Sequence, residues 1–179
     1  MSGLRIGIVS DTHASRSANE IPARLFDRLQ GVDHILHAGD IVGLPILKAL
    51  ERIAPVTAVV GNMDRPELLS HLREREIVEL GGRTIGVSHG HQPHALQSHY
   101  IARDYNDAAF DLFFGVMREQ LPGAEIIVFG HFHRPVIRSW RDVLFINPGS
   151  IAPPHREPTF ALLDLPSDGS RPAAQIVIL

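Results

Sequence analysis

The stretch Glu125–His133, with the sequence EIIVFGHFH, decides how the rest of the chain is organised. Its four consecutive apolar residues, 126–129, predict a strand that is buried on both faces. Gly130 ends that strand, and two histidines follow it, His131 and His133, separated by a single residue. Alternate side chains of an extended segment share a face, so we expect the imidazoles to point to one place or to two adjacent places. The motif indicates a metal site, although two surface histidines in a turn would give the same letters.

Four earlier places in the chain repeat this arrangement of an apolar strand followed by metal-ligating residue types. The predicted strands there cover residues 4–10, 32–37, 56–60 and 83–88. The candidate ligands that follow the five strands are Asp11 and His13, Asp40, Asn62, His89, and His131 with His133. In open α/β sheets the carboxyl ends of the strands lie along one edge, which would bring these side chains together. Seven ligands exceed the needs of one tetrahedral ion and suit two ions that share a bridging carboxylate.

Each of these short motifs also has an ordinary structural interpretation. An Asp after a strand, such as Asp11, is more often a turn residue or a helix cap. A Gly-Asn pair such as Gly61-Asn62 is typical of a turn. The metal hypothesis therefore depends on the repetition of the pattern at successive strand ends.

The remaining elements complete an alternating α/β pattern. Helical periodicity predicts helices over 21–30, 44–53, 66–73 and 105–121. Gly81-Gly82 predicts a two-residue hairpin between strands 76–80 and 83–88. Further strands are expected at residues 136–139, 143–146, 159–165 and 174–179. The broad apolar face within 99–121 predicts core packing, with a lid or a dimer surface as lesser alternatives.

Composition limits the possible functions. A chain of 179 residues with no interdomain linker predicts one domain, 1–179. The net charge of -3 gives no clear nucleic-acid surface, and no apolar run is long enough for a membrane span. Without cysteine, a metal must be held by His, Asp, Glu or Asn, which suits Mn, Ni, Fe, Co, Zn or Mg. We expect a cytoplasmic protein, with a homo-oligomer as an open alternative to a monomer.

The order of the motifs resembles that of the calcineurin-like metallophosphoesterases. The matching motifs are Asp11-x-His13, Gly39-Asp40, Gly61-Asn62-Met63-Asp64, His89-Gly90-His91 and Gly130-His131-Phe132-His133. The resemblance covers about residues 4–150. The Gly-Asn-x-Asp form and the loop Asn147-Pro148-Gly149-Ser150 are similar to the small bacterial and archaeal phosphodiesterase branch, which is related to the scaffold subunit of the retromer coat.

This resemblance implies a fold and a set of roles. The fold would be a four-layer α-β-β-α sandwich, in which helices flank two mixed β-sheets. One divalent ion would be held by Asp11, His13, Asp40 and His133. Asp40 would bridge to a second ion, held also by Asn62, His89 and His131. His91 would stand just outside the ligands, where it would bind phosphate or donate a proton.

The implied reaction is hydrolysis of a small phosphoester by a hydroxide that bridges the two metal ions. Asn62 and the ions would neutralise charge on the phosphoryl oxygens. Met63 stands where other branches of the family have a histidine that protonates the leaving group, and Met cannot donate a proton. This departure favours a phosphodiester with a good leaving group. The alternatives are a phosphomonoesterase acting on nucleotides or sugar phosphates, and a non-catalytic scaffold of the same fold.

Overall fold

Two mixed five-stranded sheets form the centre of the protein in the computed structural model, which describes residues 3–14, 17–152 and 157–179. The first sheet has the order β10-β9-β1-β2-β3 and the second has the order β4-β5-β6-β8-β7. The strands are β1 Leu4–Val9, β2 His34–His37, β3 Val56–Ala58, β4 Arg75–Leu80, β5 Arg83–Ser88, β6 Ile126–Val128, β7 Val136–Trp140, β8 Val143–Asn147, β9 Thr159–Leu165 and β10 Ala173–Ile178.

Parallel pairing at the centre of each sheet aligns the strand ends that carry the candidate ligands. In the first sheet, β1 pairs in parallel with β2 and β2 with β3. In the second, β5 pairs in parallel with β6 and β6 with β8. The outer strands β9, β10, β4 and β7 pair antiparallel. The carboxyl ends of the parallel strands therefore share one edge of each sheet, as the sequence predicted.

Helices cover the outer face of each sheet, which gives the four expected layers. The helices are α1 Ala23–Arg28, α2 Leu44–Leu50, α3 Pro66–Leu69, α4 His94–Gln97 and α5 Phe110–Gln120, and a 3-10 turn covers Ala18–Glu20. Apolar side chains of α1 and α2 pack with the outer face of the first sheet, and those of α5 pack with the outer face of the second. A third apolar cluster fills the space between the sheets. Among the described residues, no helix is both long and apolar enough to cross a membrane.

The strand that opened the sequence analysis is buried on both faces, as predicted. Ile126 and Val128 belong to the cluster between the sheets. Ile127 and Phe129 belong to the aromatic cluster under α5. Both faces of β6 are therefore in the core, which explains why its sequence shows a continuous apolar run and no alternation.

The interval 92–121 differs from the prediction in its detail. The short helix α4 lies within it, and α5 begins at Phe110 and not at 105. The side chains of Asp104 and Asp107 each accept a hydrogen bond from the backbone N–H two residues later, at 2.9 Å. Such local bonds offer the backbone a turn in place of a helix. The predicted helix 66–73 is likewise shorter and ends at Leu69.

Candidate metal centre

All seven predicted ligands lie in one connected group at the carboxyl ends of the strands. Polar side-chain atoms of six of them form a series of separations of 3.9 Å or less that begins at His133 and ends at Asn62, and the ring of His131 lies beside that of His89. His133 Nε2 lies 3.1 Å from Asp11 Oδ1 and 3.2 Å from His13 Nε2. The rings of His89 and His131 have centroids 5.2 Å apart. The sheet edge thus brings together residues that are up to 122 positions apart in the chain.

Asp11, His13 and His133 form one half of this centre. One ligand atom from each lies within 4.8 Å of the others. The two imidazoles direct Nε2 atoms at each other across 3.2 Å, beside the buried Asp11 carboxylate. Two nitrogen lone pairs at that distance repel unless a proton or a cation lies between them. This donor set of one carboxylate and two imidazoles fits a divalent transition-metal ion.

Asp40 lies between that half and a second one. Its Oδ2 is 3.9 Å from His13 Nε2 and 3.4 Å from His89 Nε2. The other oxygen, Oδ1, accepts a hydrogen bond of 2.8 Å from the backbone N–H of Met63. Asp11, Asp40 and His89 also form a three-residue group within 4.8 Å, so Asp11 takes part in both groups. Asp40 is the carboxylate that contacts an imidazole of each half, which is the placement a bridging ligand needs.

Hydrogen bonds orient His89 for metal binding. Its Nδ1 lies 2.7 Å from the carbonyl oxygen of Ala38, and since a carbonyl can only accept, Nδ1 carries the hydrogen. In the neutral ring Nε2 then keeps its lone pair, and it lies 3.1 Å from Asn62 Oδ1. A histidine that donates its other N–H to a carbonyl is the usual arrangement at metal sites.

Gln97 holds His131 in the same tautomer, through a contact that no sequence motif predicted. The backbone N–H of Gln92 donates to Gln97 Oε1 at 3.2 Å, which identifies that atom as the acceptor of the side-chain amide. Gln97 Nε2 therefore donates to His131 Nε2, at 2.8 Å. His131 Nε2 is then the unprotonated nitrogen, and Gln97 stands at the position from which a metal ion would approach it.

Left-handed backbone conformations are concentrated at the candidate ligands. Among the described non-glycine residues, those with positive φ include Asp11, His13, Asp40, His131 and His133, with φ between 49° and 70°. This conformation is rare for such residues and is retained mainly at functional sites. It also corrects the sequence analysis, which treated the segment of His131 and His133 as extended. Because the backbone turns at both residues, the two imidazoles enter different halves of the centre.

Two glycines permit the close approach of these loops. A Cβ atom on Gly61 would collide with the carboxylate of Asp40. A Cβ atom on Gly130 would lie 2.7 Å from Asp11 Oδ2. The glycine before Asn62 and the one before His131 are therefore required by contact with the two central carboxylates.

Hydrogen bonds from the loop 147–150 hold the backbone and side chains next to the candidate ligands. Asn147 Nδ2 donates to the carbonyl of Gly130 at 2.8 Å, which fixes the start of the histidine segment. The hydroxyl of Ser10 lies 2.7 Å from Asp11 Oδ2 and 2.8 Å from the carbonyl oxygen of Gly149. Ser10 was not predicted as a site residue, because a serine at a strand end carries no signal by itself.

Electrostatics keep the Asp40 carboxylate ionised and lower the pKa of His131 and of His37, whereas the pKa of His89 is raised because the hydrogen bond and charge of Asp40 outweigh its burial. Burial by itself would raise the pKa of Asp40, but the hydrogen bond and charge of His89, with the N–H of Met63, bring it down to about 2. Burial lowers the pKa of His131 to about 4. Burial also lowers the pKa of His37, beneath the centre, to about 3. A deprotonated carboxylate and neutral imidazoles are the forms that bind metal ions.

His91 lies beside the centre, outside the connected group. Its ring centroid is 5.6 Å from that of His89, and it lines a cleft of about 370 Å³ together with Arg75, Gln92 and others. Burial, and then the charge of His89, lower its pKa. The ring is therefore mainly neutral at neutral pH.

The Asn62–Asp64 loop forms the rim of the centre. The side chain of Met63 is 59% exposed, so it is not a packing residue. Both carboxylate oxygens of Asp64 accept backbone N–H groups, from Val42 at 2.6 Å and from Gly61 at 2.7 Å. Asp64 therefore fixes the shape of the loop.

Comparisons with known proteins give the same assignment as the geometry. Residues 4–168 match the model of the calcineurin-like phosphoesterase superfamily domain. A probable metallophosphoesterase of Methanothermobacter thermautotrophicus is 34% identical over 176 residues, which cover 96% of this chain and 91% of the relative. A phosphodiesterase of Methanocaldococcus jannaschii is 27% identical over 158 residues, 82% of this chain and 83% of the relative.

A solved structure confirms the architecture. Vacuolar protein sorting 29 of Cryptosporidium parvum superposes with a TM-score of 0.74 at 20% identity, over 100% of this chain and 99% of that one. At that identity the likeness concerns the fold alone. Membership of the family is shown by the family model and by the Methanothermobacter thermautotrophicus relative, because both matches extend over the strand ends that hold the candidate ligands. From its sequence and its architecture together, this chain belongs to the calcineurin-like phosphoesterase superfamily.

Proposed function

We propose that this protein is a phosphodiesterase that uses two divalent metal ions. The observation that carries the proposal is the position of Asp40 Oδ2, 3.9 Å from His13 Nε2 and 3.4 Å from His89 Nε2. One carboxylate oxygen placed between two sets of nitrogen and oxygen donors supports a pair of ions with a shared ligand. Asp11, His13 and His133 would complete one set, and Asn62, His89 and His131 the other. Mn, Ni, Fe, Co and Zn all suit these donors.

Two divalent ions bound there would supply Lewis acidity and lower the pKa of a water molecule to about 7. The residues of the chain would do the rest. Asn62, whose carboxamide lies at the exposed rim, would donate its N–H groups to a phosphoryl oxygen while its Oδ1 serves as a ligand. Because the pKa of Asp40 is lowered to about 2, its carboxylate is charged at neutral pH.

A diester is favoured by the surroundings of the centre. The cleft of about 370 Å³ beside His91 offers room for an ester group next to the phosphorus atom. Met63 at the rim cannot protonate a leaving group, and His91 is mainly neutral at neutral pH, which favours esters whose alcohol leaves without help. The name of the Methanocaldococcus jannaschii relative supports the same reaction class.

The test compares bis-p-nitrophenyl phosphate with p-nitrophenyl phosphate, after metal analysis of protein purified without chelator. We expect close to two ions per chain, faster cleavage of the diester, loss of activity in chelator and recovery with Mn. Faster cleavage of the monoester would replace this proposal with a phosphomonoesterase. Bound metal without turnover of any ester would indicate a scaffold, and full activity in chelator after dialysis would refute metal dependence.

A further inference from the structure

A second cavity, of about 400 Å³, lies at the end of the second sheet that is opposite to the metal centre. Its wall contains the first residues of β5, β6 and β8, whereas the candidate ligands follow the last residues of β5 and β6. Residues 171–174, at the start of β10, close the other side. The cavity is thus formed by both sheets and is separate from the centre described above. Its volume falls in the usual range for small-molecule sites.

Arg83 fixes the shape of this cavity. Its guanidinium donates to Glu125 Oε2 at 2.8 Å and to the carbonyl oxygens of Gly169 and Ser170 at 2.7 and 3.0 Å. These bonds join the turn before β10 to the start of β6. Since three of the five N–H groups of Arg83 donate to protein acceptors, its role here is to hold the wall in place.

The remaining charged groups leave the cavity cationic. The carboxylates that line it are already paired, Glu125 with Arg83 and Asp142 with Arg118, both at 2.8 Å. In the described part of the chain, neither Arg141 nor Arg171 has a carboxylate partner. Arg141 lies over the ring of Trp140, 4.4 Å from its centroid. Arg171 has a single weak bond, to Ser139 Oγ at 3.4 Å.

Apart from Ser139, the rest of the lining is apolar. Ile126 and Val143 are only 2% and 3% exposed and form a rigid inner surface, and Ile137 is exposed at the rim. An inorganic anion would leave this surface in contact with water. A ligand with an anionic group and an apolar body would use both parts of the lining.

We propose that this cavity binds a small organic anion, in which a phosphate, phosphonate or carboxylate group contacts Arg141 and Arg171 and an apolar ring lies against Ile126, Ile137 and Val143. Guanidinium groups match the geometry of such oxyanions, and neither arginine is paired with a carboxylate of the described residues. The site does not depend on the proposed hydrolysis, because it shares no residue with the metal centre.

Trp140 supplies a built-in probe, since it is the one tryptophan of the chain and lies under Arg141. The experiment titrates the metal-free protein, in chelator, with phenylphosphonate, which carries the anion and the ring and has no ester to cleave. We expect a saturable change in tryptophan fluorescence. Inorganic phosphate should bind at least tenfold more weakly, and uncharged benzyl alcohol should cause no saturable change.

Arg171→Ala should weaken phenylphosphonate binding by about tenfold or more, the loss expected for one charged hydrogen-bonding partner. Arg171→Lys should lose less, because it keeps the charge. Arg52→Ala, at an exposed position outside the cavity lining, is the matched control and should bind as the parent does. Circular dichroism of each variant verifies folding. The proposal is refuted by an absent fluorescence response, by equal binding in the parent and Arg171→Ala, or by phosphate that binds as tightly as phenylphosphonate.

Discussion

The two halves of the metal centre differ in how far the protein has fixed them. The side chains of His13 and His133 are each 26% exposed, and their Nε2 atoms face each other across 3.2 Å. His89, in the other half, is 0% exposed, and its tautomer is set by the carbonyl of Ala38. In the first half two imidazoles point at each other, whereas in the second half a hydrogen bond to the backbone already orients the imidazole of His89.

This difference predicts which half of the centre binds its ion more tightly. Preorganised ligands lose little conformational entropy when an ion binds, so the His89 half should hold its ion more tightly than the His13 half. Asp40 belongs to neither half alone.

Asp40→Asn should have the largest effect, because it removes the charge that both halves share. We expect a loss of turnover well beyond the 10–100-fold typical of residues that only support ligands, together with loss of bound metal. Asn62→Ala, which removes a neutral amide from one half, should retain more activity and about one ion per chain. Metal analysis and diester turnover of the two variants check this. Equal and substantial turnover in both would show that Asp40 does not bridge.

His89→Ala and His91→Ala should separate a ligand from its neighbour. His91→Ala should keep both ions yet turn over more slowly, by about tenfold to a hundredfold, the loss expected when one hydrogen bond to a charged phosphoryl oxygen is removed. His89→Ala should lose metal from the buried half as well as activity. The measurement is metal occupancy beside turnover for each protein. Full occupancy in His89→Ala with depletion in His91→Ala would mean that their roles are exchanged.

Met63→His tests the rim between the halves. Without an acid, negative charge builds on the departing oxygen, so the rate of the parent should depend steeply on the pKa of the leaving group. A histidine at this exposed position should make that dependence shallower. A series of aryl and alkyl diesters of graded leaving-group pKa measures the slopes. A shallow slope in the parent would indicate that His91 already protonates the leaving group.

Gln97→Ala should have the smallest effect. The amide of Gln97 competes with a metal ion for His131 Nε2, and a neutral hydrogen bond contributes about 1 kcal/mol. Removing it should tighten the ion of the His89 half by about fivefold, measured by titration of metal into the chelator-treated protein. Gln92→Ala is the control, because its backbone N–H, which bonds to Gln97, is kept. Weaker metal binding in Gln97→Ala would show that orienting His131 matters more than competition for it.

Much of this architecture was readable from local patterns. The continuous apolar run 126–129 predicted the doubly buried β6, and Gly81-Gly82 predicted the hairpin that the structure forms with φ of 56° and 72°. The core role of the 99–121 segment is confirmed, with Phe110, Phe113 and Phe114 all buried. These features depend on neighbours in the chain, and periodicity therefore encodes them. The seven candidate ligands could be predicted because each follows an apolar strand, and parallel strands bring their carboxyl ends to one edge of the sheet.

Sequence patterns thus predicted the fold class and the residues at the strand ends, but the arrangement of those residues depends on tertiary contacts. The two imidazoles were expected at one place or at two adjacent places, but the left-handed backbone that directs them into different halves was not predicted from a period of two. The contacts of Gln97 and Ser10 with the centre, and the cavity between Arg141 and Arg171, join segments that are distant in the chain. Such contacts depend on how the two sheets and their loops pack together. They cannot be predicted from hydrophobic periodicity, because periodicity specifies which faces of an element are buried and not which loops contact each other.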